Sequence, residues 1–108
     1  MSRASGRKTR PVSDLLLRVF THPACSGCPE AVREAWRFTE DRPGIELRTV
    51  TLAEKEGLAE ARRARVTIIP ALILERGDDE LARWEGMPSL AELEASVREA
   101  TMGTAAAS

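Results

Sequence analysis

The sequence predicts one α/β domain of element order β-α-β-α-β-β-α, a four-stranded mixed sheet flanked by helices, and three observations carry that prediction. A short apolar run from Leu15 to Phe20 leads into Cys25-Ser26-Gly27-Cys28 and then into apolar residues at helical spacing, so a strand hands over to a helix. Ala71 to Leu74 and Leu81 to Trp84 flank Gly77-Asp78-Asp79, a composition that favours a hairpin turn. The 108 residues, 43% hydrophobic and 31% charged, suit a single small core, since domains of about 100–150 residues are the commonest size.

Each element has its own signal. Residues 1–14 carry Arg3, Arg7, Lys8 and Arg10 with Ser, Gly and Pro11 and no apolar period, which predicts a flexible basic arm ahead of a domain spanning 15–101. Leu15 to Thr21 suits a buried central strand, with Arg18 in need of an edge, a partner or solvent. Ala31, Val32, Ala35, Trp36 and Thr39 then recur at helical spacing until Pro43-Gly44. Ile45, Leu47 and Thr49 alternate with Glu46, Arg48 and Val50, a strand with one more polar face. A second helix is expected from Ala53 to Ala64, with Leu58, Ala61 and Ala64 on one side and Gly57 weakening its first half. After the hairpin, Ser89 and Glu92 form a capping-box pattern that starts a last helix through Leu90, Leu93, Val97 and Ala100. Residues 102–108 are small and uncharged and are expected to fray as a tail. No internal repeat is visible.

Charge and composition exclude several classes of function. With 16 basic and 17 acidic residues the net charge is −1, which gives no reason to expect nucleic acid or an anionic membrane as partner. No stretch approaches the roughly 18–20 apolar residues of a membrane span, and the N-terminus lacks the apolar core of a secretory signal, so we expect a cytoplasmic monomer.

In a reducing compartment a closely spaced cysteine pair points to catalysis, redox sensing or metal binding. A helix N-terminus offers unpaired N–H groups and the positive end of the macrodipole, which stabilise a thiolate at Cys25. Cys28, one turn further in, is placed to attack a mixed disulfide. Pro29 is tolerated in the first turn, where N–H groups need no intrahelical partner, and Gly27 keeps the approach to the sulfurs open. The same C-x-x-C pattern also serves as half of many zinc sites. The alternative is therefore a metal or iron–sulfur carrier using these two thiols, completed by His22 or a second protomer. A redox-inert adaptor is a third reading, against which the intact dithiol argues.

A second signal lies in Val66-Thr67-Ile68-Ile69-Pro70-Ala71, where a proline precedes the third strand. With the dithiol it resembles the thioredoxin superfamily, and the likeness runs from Leu15 to about Ala100. The resemblance implies a thioredoxin-like fold in which the Ile69-Pro70 bond is cis and packs against the dithiol. It also implies that the main chain of Ile69, with Pro70, binds an extended substrate beside Cys25 and Cys28, and that Gly86 leaves room for a bound polypeptide. The activity implied is that of a thiol–disulfide oxidoreductase needing no metal or other cofactor. Its partners would be a disulfide-containing protein or a small thiol substrate, and a reductase or thiol reductant.

The departures bear on subtype. Full thioredoxins place an extra strand and helix before the dithiol strand, for which residues 1–14 are too few, so the chain resembles a small glutaredoxin-like or minimal thioredoxin-like protein. The Trp-Cys-Gly-Pro-Cys motif of thioredoxins is absent, as are the motif aromatic and Gly-Gly turn common in glutaredoxins. Val19 stands where many thioredoxins bury an acid. Proton transfer at Cys28 is then expected to run through water, and Cys25 to titrate as one simple ionisation below the free-thiol value of about 8.5.

His22, the only histidine, could acidify Cys25 as imidazolium or join both thiols as a metal ligand. A solvated loop histidine is the plainer reading. Trp36, Trp84 and Phe20 are expected to pack in the core or at its rim, since few other aromatics fill the interior.

Overall fold

A computed structural model describes residues 15–107 of the chain, so the basic arm expected over 1–14 lies outside the described residues. The elements are β1 (Leu15–Thr21), α1 (Cys28–Glu40), β2 (Ile45–Thr51), α2 (Lys55–Arg63), β3 (Ala71–Arg76), β4 (Asp79–Glu85) and α3 (Leu90–Ala107). Strand order across the sheet is β2-β1-β3-β4. β1 pairs in parallel with β2 and antiparallel with β3, and β3 pairs antiparallel with β4. The expected order, hairpin and mixed four-stranded sheet are all present.

β1 is central because its alternate residues serve two cores. Leu15, Leu17 and Val19 join Ala35 and Phe38 of α1, Leu93 of α3, and Leu72 and Leu74 of β3 in one buried cluster. Phe20 points the other way, into a smaller cluster with Val50, Ala61, Ala71 and Ile73. So α1 and α3 cover one face and α2 the other. Val50, grouped by alternation with the polar face of β2, is buried because α2 lies over it.

The charge that the β1 run could not explain finds partners inside the fold. Arg18 donates through Nη1 to Glu60 Oε2 at 2.7 Å and through Nε to Glu75, while Arg48 donates to the other Glu60 oxygen at 2.8 Å. Glu60 is only 8% exposed. Both its oxygens are thus engaged by guanidinium groups, which is what makes a buried carboxylate tolerable.

Several boundaries differ from expectation for physical reasons. α2 runs Lys55–Arg63 rather than 53–64; its start is delayed because Thr51 Oγ1 accepts from the Ala53 amide at 3.2 Å, holding that segment as a turn. α1 stops at Glu40, before Pro43-Gly44. α3 is started by the expected capping box, Ser89 N–H donating to Glu92 Oε1 at 2.9 Å and Glu92 N–H to Ser89 Oγ at 3.1 Å. It continues through Ala107, past Thr101, where the domain was expected to end and a tail to begin. Small residues such as Ala propagate a helix well once it is capped. Phe20 is fully buried and Trp84 packs at the core's rim, but Trp36 is 57% exposed, because it follows Ala35, whose side of α1 faces the sheet.

Candidate active site

The dithiol loop, Ile69-Pro70 and Gly86 come to one end of the sheet. Phe20 pairs with Ala71, and Ala71 with Glu85, so the loop leaving β1, the proline entering β3 and the glycine leaving β4 are neighbours in register. Two consecutive turns shape the loop. Cys25 N–H donates to the His22 carbonyl at 2.9 Å, and Cys28 N–H to the Cys25 carbonyl at 3.3 Å. Gly27 then caps α1, with Pro29 in the first turn. Cys28 is therefore the first helical residue, and Cys25 stands two residues before the cap.

Cys25 and Cys28 form a disulfide, with Cα atoms 5.4 Å apart. Their environments are unequal: Cys25 is partly exposed, whereas Cys28 is only 2% exposed beneath the loop. A cleft of about 210 Å³ beside Cys28 is lined by Thr21, His22, Pro23, Pro29, Val32 and Thr51. A Cβ built on Gly27 meets nothing within 4 Å, so the space above the loop is open, as expected.

His22 has a local task. Its Nδ1 accepts from the Ala24 amide at 3.0 Å, which in the neutral ring leaves the proton on Nε2 and fastens the loop between β1 and Cys25. Among the described residues no group of three or more His, Cys, Asp or Glu side chains converges to hold a metal ion.

The Ile69-Pro70 bond is cis. The Pro70 carbonyl accepts from the Gly86 amide at 2.7 Å, which joins two of the residues singled out in the sequence. Gly86 has φ +97°, a conformation that L side chains rarely adopt, so this backbone turn favours glycine. Ile69 is half-buried and packs on the smaller core cluster, leaving Ile68 beside it 51% exposed.

Sequence reasoning missed Arg83, read only as part of a strand. Its guanidinium pairs with Glu80 through two hydrogen bonds of 2.8 Å and also donates to the Ala64 carbonyl at 2.7 Å. The available signal was a Glu and an Arg three apart on an edge strand just before Gly86. The hydrogen bond from Arg83 holds the Glu80 carboxyl below its ordinary value of 4.5; partial burial opposes this, and the nearby charges of Arg83 and Arg18 add to it. A lowered folded-state value means the pair contributes stability above the unfolded value and loses it as pH falls through the folded one. Glu80→Gln is accordingly expected to lower the urea midpoint slightly at neutral pH, by the roughly 0–1 kcal/mol of an exposed pair, with parent and variant converging in acid. A gap that persists unchanged at low pH would refute the ionic origin of the effect.

A cysteine pair that closes a disulfide at a strand-to-helix junction, on a four-stranded mixed sheet with a cis-proline at the same end, defines the class. Among solved structures the chain is similar to thioredoxin-2 of the malaria parasite, described as a component of its protein secretion machinery, at 26% identity over 79% of this chain and 82% of that one, TM-score 0.69. It is also similar to a thioredoxin from Trypanosoma brucei brucei, at 19% identity over 85% and 80%, TM-score 0.70. Oxidised thioredoxin O2 from Arabidopsis thaliana is similar at 18% identity over 85% and 79%, TM-score 0.69. The chain thus has the thioredoxin-like fold. No protein-family model matches it, and no curated protein matches its sequence. No helix among the described residues is long and apolar enough to cross a membrane.

Proposed function

We propose that the protein is a small thiol–disulfide oxidoreductase that cycles Cys25 and Cys28 between dithiol and disulfide. The observation that carries this reading is the unequal exposure of two sulfurs that form one disulfide: a reachable Cys25 and a Cys28 only 2% exposed. The thiolate of Cys25 attacks one sulfur of a substrate disulfide, forming a Cys25–substrate disulfide and releasing the other substrate sulfur as a thiolate, which takes up a proton. Cys28, having given its proton to water, attacks Cys25 and releases the second substrate thiol. Two electrons pass to the substrate, and the Cys25–Cys28 disulfide remains. A reductase or thiol reductant of the same compartment, the cytoplasm in this reading, returns two electrons and two protons.

The main chain of Ile69, presented by Pro70, holds an extended segment of the substrate, and Gly86 leaves space for it. Backbone recognition of this kind suits a disulfide-containing protein; a small disulfide would use only the sulfurs. Reduction of insulin by the protein, with dithiothreitol as the terminal reductant, tests the reading together with metal analysis of protein purified without oxygen. Catalysed reduction by metal-free protein is expected. Stoichiometric metal with no reduction above the dithiothreitol background would overturn the proposal in favour of a carrier.

A further inference from the structure

The segment 66–70, which delivers Ile69 and Pro70, has no regular secondary structure of its own, and Thr67 and Ile68 are exposed. Val66 and Ile69 rest on the smaller core cluster, and backbone hydrogen bonds fix the segment at its two ends. At the far end, Gly86 N–H donates to the Pro70 carbonyl. At the near end α2 closes in a Schellman turn, in which Val66 N–H donates to the Ala61 carbonyl at 2.9 Å and Arg65 N–H to the Arg62 carbonyl at 3.0 Å. The left-handed position of such a turn is usually glycine, but here it is Arg65, at φ 60°. The bend that aims the chain at Pro70 is thus made by a residue that disfavours it.

Arg83 grips that bend. Its Nη2 donates to the Ala64 carbonyl at 2.7 Å and its Nη1 to the Arg65 carbonyl at 3.4 Å, while Glu80 holds the guanidinium in place. Arg83 lies three residues before Gly86 on the same strand-and-turn segment. The two connections close a bracket: the guanidinium ties β4 to the end of α2, and the Gly86 amide ties the residue after β4 to Pro70. Segment 66–70 is spanned between them.

We propose that Arg83 is a positioning residue for the substrate platform, setting where the Ile69 main chain and Pro70 stand through its grip on Ala64 and Arg65. This rests on the oxidoreductase reading. Arg83 touches neither sulfur and takes no part in the exchange itself. Its loss should therefore weaken substrate capture while leaving the thiol chemistry intact.

Two variants and three readouts test this on the full chain. In Arg83→Ala the KM for insulin is expected to rise about tenfold, short of the roughly hundredfold that a 1 Å misplacement can cost, with kcat and the alkylation rate of Cys25 near parental values. Amide exchange at Gly86 should accelerate. Arg83→Lys keeps the charge but cannot span two carbonyls and Glu80 together, so it is expected to recover only part of the KM. A parental KM in a folded Arg83→Ala, or unchanged exchange at Gly86 in both variants, would overturn the proposal. So would a loss confined to kcat. Absence of insulin reduction by the parent would instead defeat the oxidoreductase reading, and accelerated Gly86 exchange would still identify Arg83 as the clasp of segment 66–70.

Discussion

Cys28→Ser is expected to stop the exchange halfway, leaving Cys25 joined to its substrate through a stable mixed disulfide. Cys25 keeps its partly exposed position, so the first attack proceeds, but a serine hydroxyl at position 28 cannot displace the substrate thiolate from sulfur. Cys25→Ser should behave oppositely, with turnover falling to background and no adduct trapped, because Cys28 is only 2% exposed. Mass spectrometry of the two variants after incubation with insulin and gel filtration reads the outcome directly. An adduct on Cys25→Ser rather than on Cys28→Ser would exchange the two roles.

Gly57→Ala is expected to give the largest loss of stability from one added methyl group. Gly57 is buried where α2 crosses the end of β2, and a Cβ there would stand 1.8 Å from the Thr51 carbonyl oxygen and 2.8 Å from its carbon. These are backbone atoms that cannot rotate aside, so α2 must shift away from the sheet. That shift would loosen the smaller core cluster, in which Ala61 of α2 packs on Val50 and Phe20. Alanine's better helix propensity returns only about 1 kcal/mol, against about 3 kcal/mol or more for the displaced packing. The melting temperature should fall by roughly 4–8 °C for each kcal/mol of net loss, as thermal unfolding followed by circular dichroism would show. A variant as stable as the parent would refute the steric block at the Thr51 carbonyl.

Gly57 also illustrates where the sequence was legible and where it was not. In sequence it is only a weak point in a helix; its purpose, close approach to Thr51, depends on a contact that no local pattern encodes. The element order was readable because β1, α1, β2, the hairpin and the Ser89 cap each carry their own signal within a few residues. The dithiol was readable for the same reason. Pro70 and Gly86 were found through resemblance, and the hydrogen bond between them belongs to the fold alone. Arg18 could be flagged as a charge in need of a partner, but its partners, Glu60 and Glu75, lie far along the chain on different elements. Arg83 gave less warning still, since a surface arginine beside a glutamate is usually just a solvated pair, and its grip on α2 exists only after the hairpin has folded over that helix's end.

The disulfide spans a sequence separation of three residues. A ring that small removes little freedom from the unfolded chain, because the stabilisation a crosslink brings grows with the loop it closes. The unfolded chain therefore contributes little to the link between redox state and foldedness in this protein. By the same linkage, the global stability of the domain exerts little pull on the dithiol's tendency to be oxidised. That tendency is left to the immediate surroundings of two sulfur atoms, so substitutions in the distant core that weaken both redox forms equally leave the chemistry as it was, and changes in the His22–Pro29 loop that retune the chemistry shift the relative stability of the oxidised and reduced forms by the same free energy.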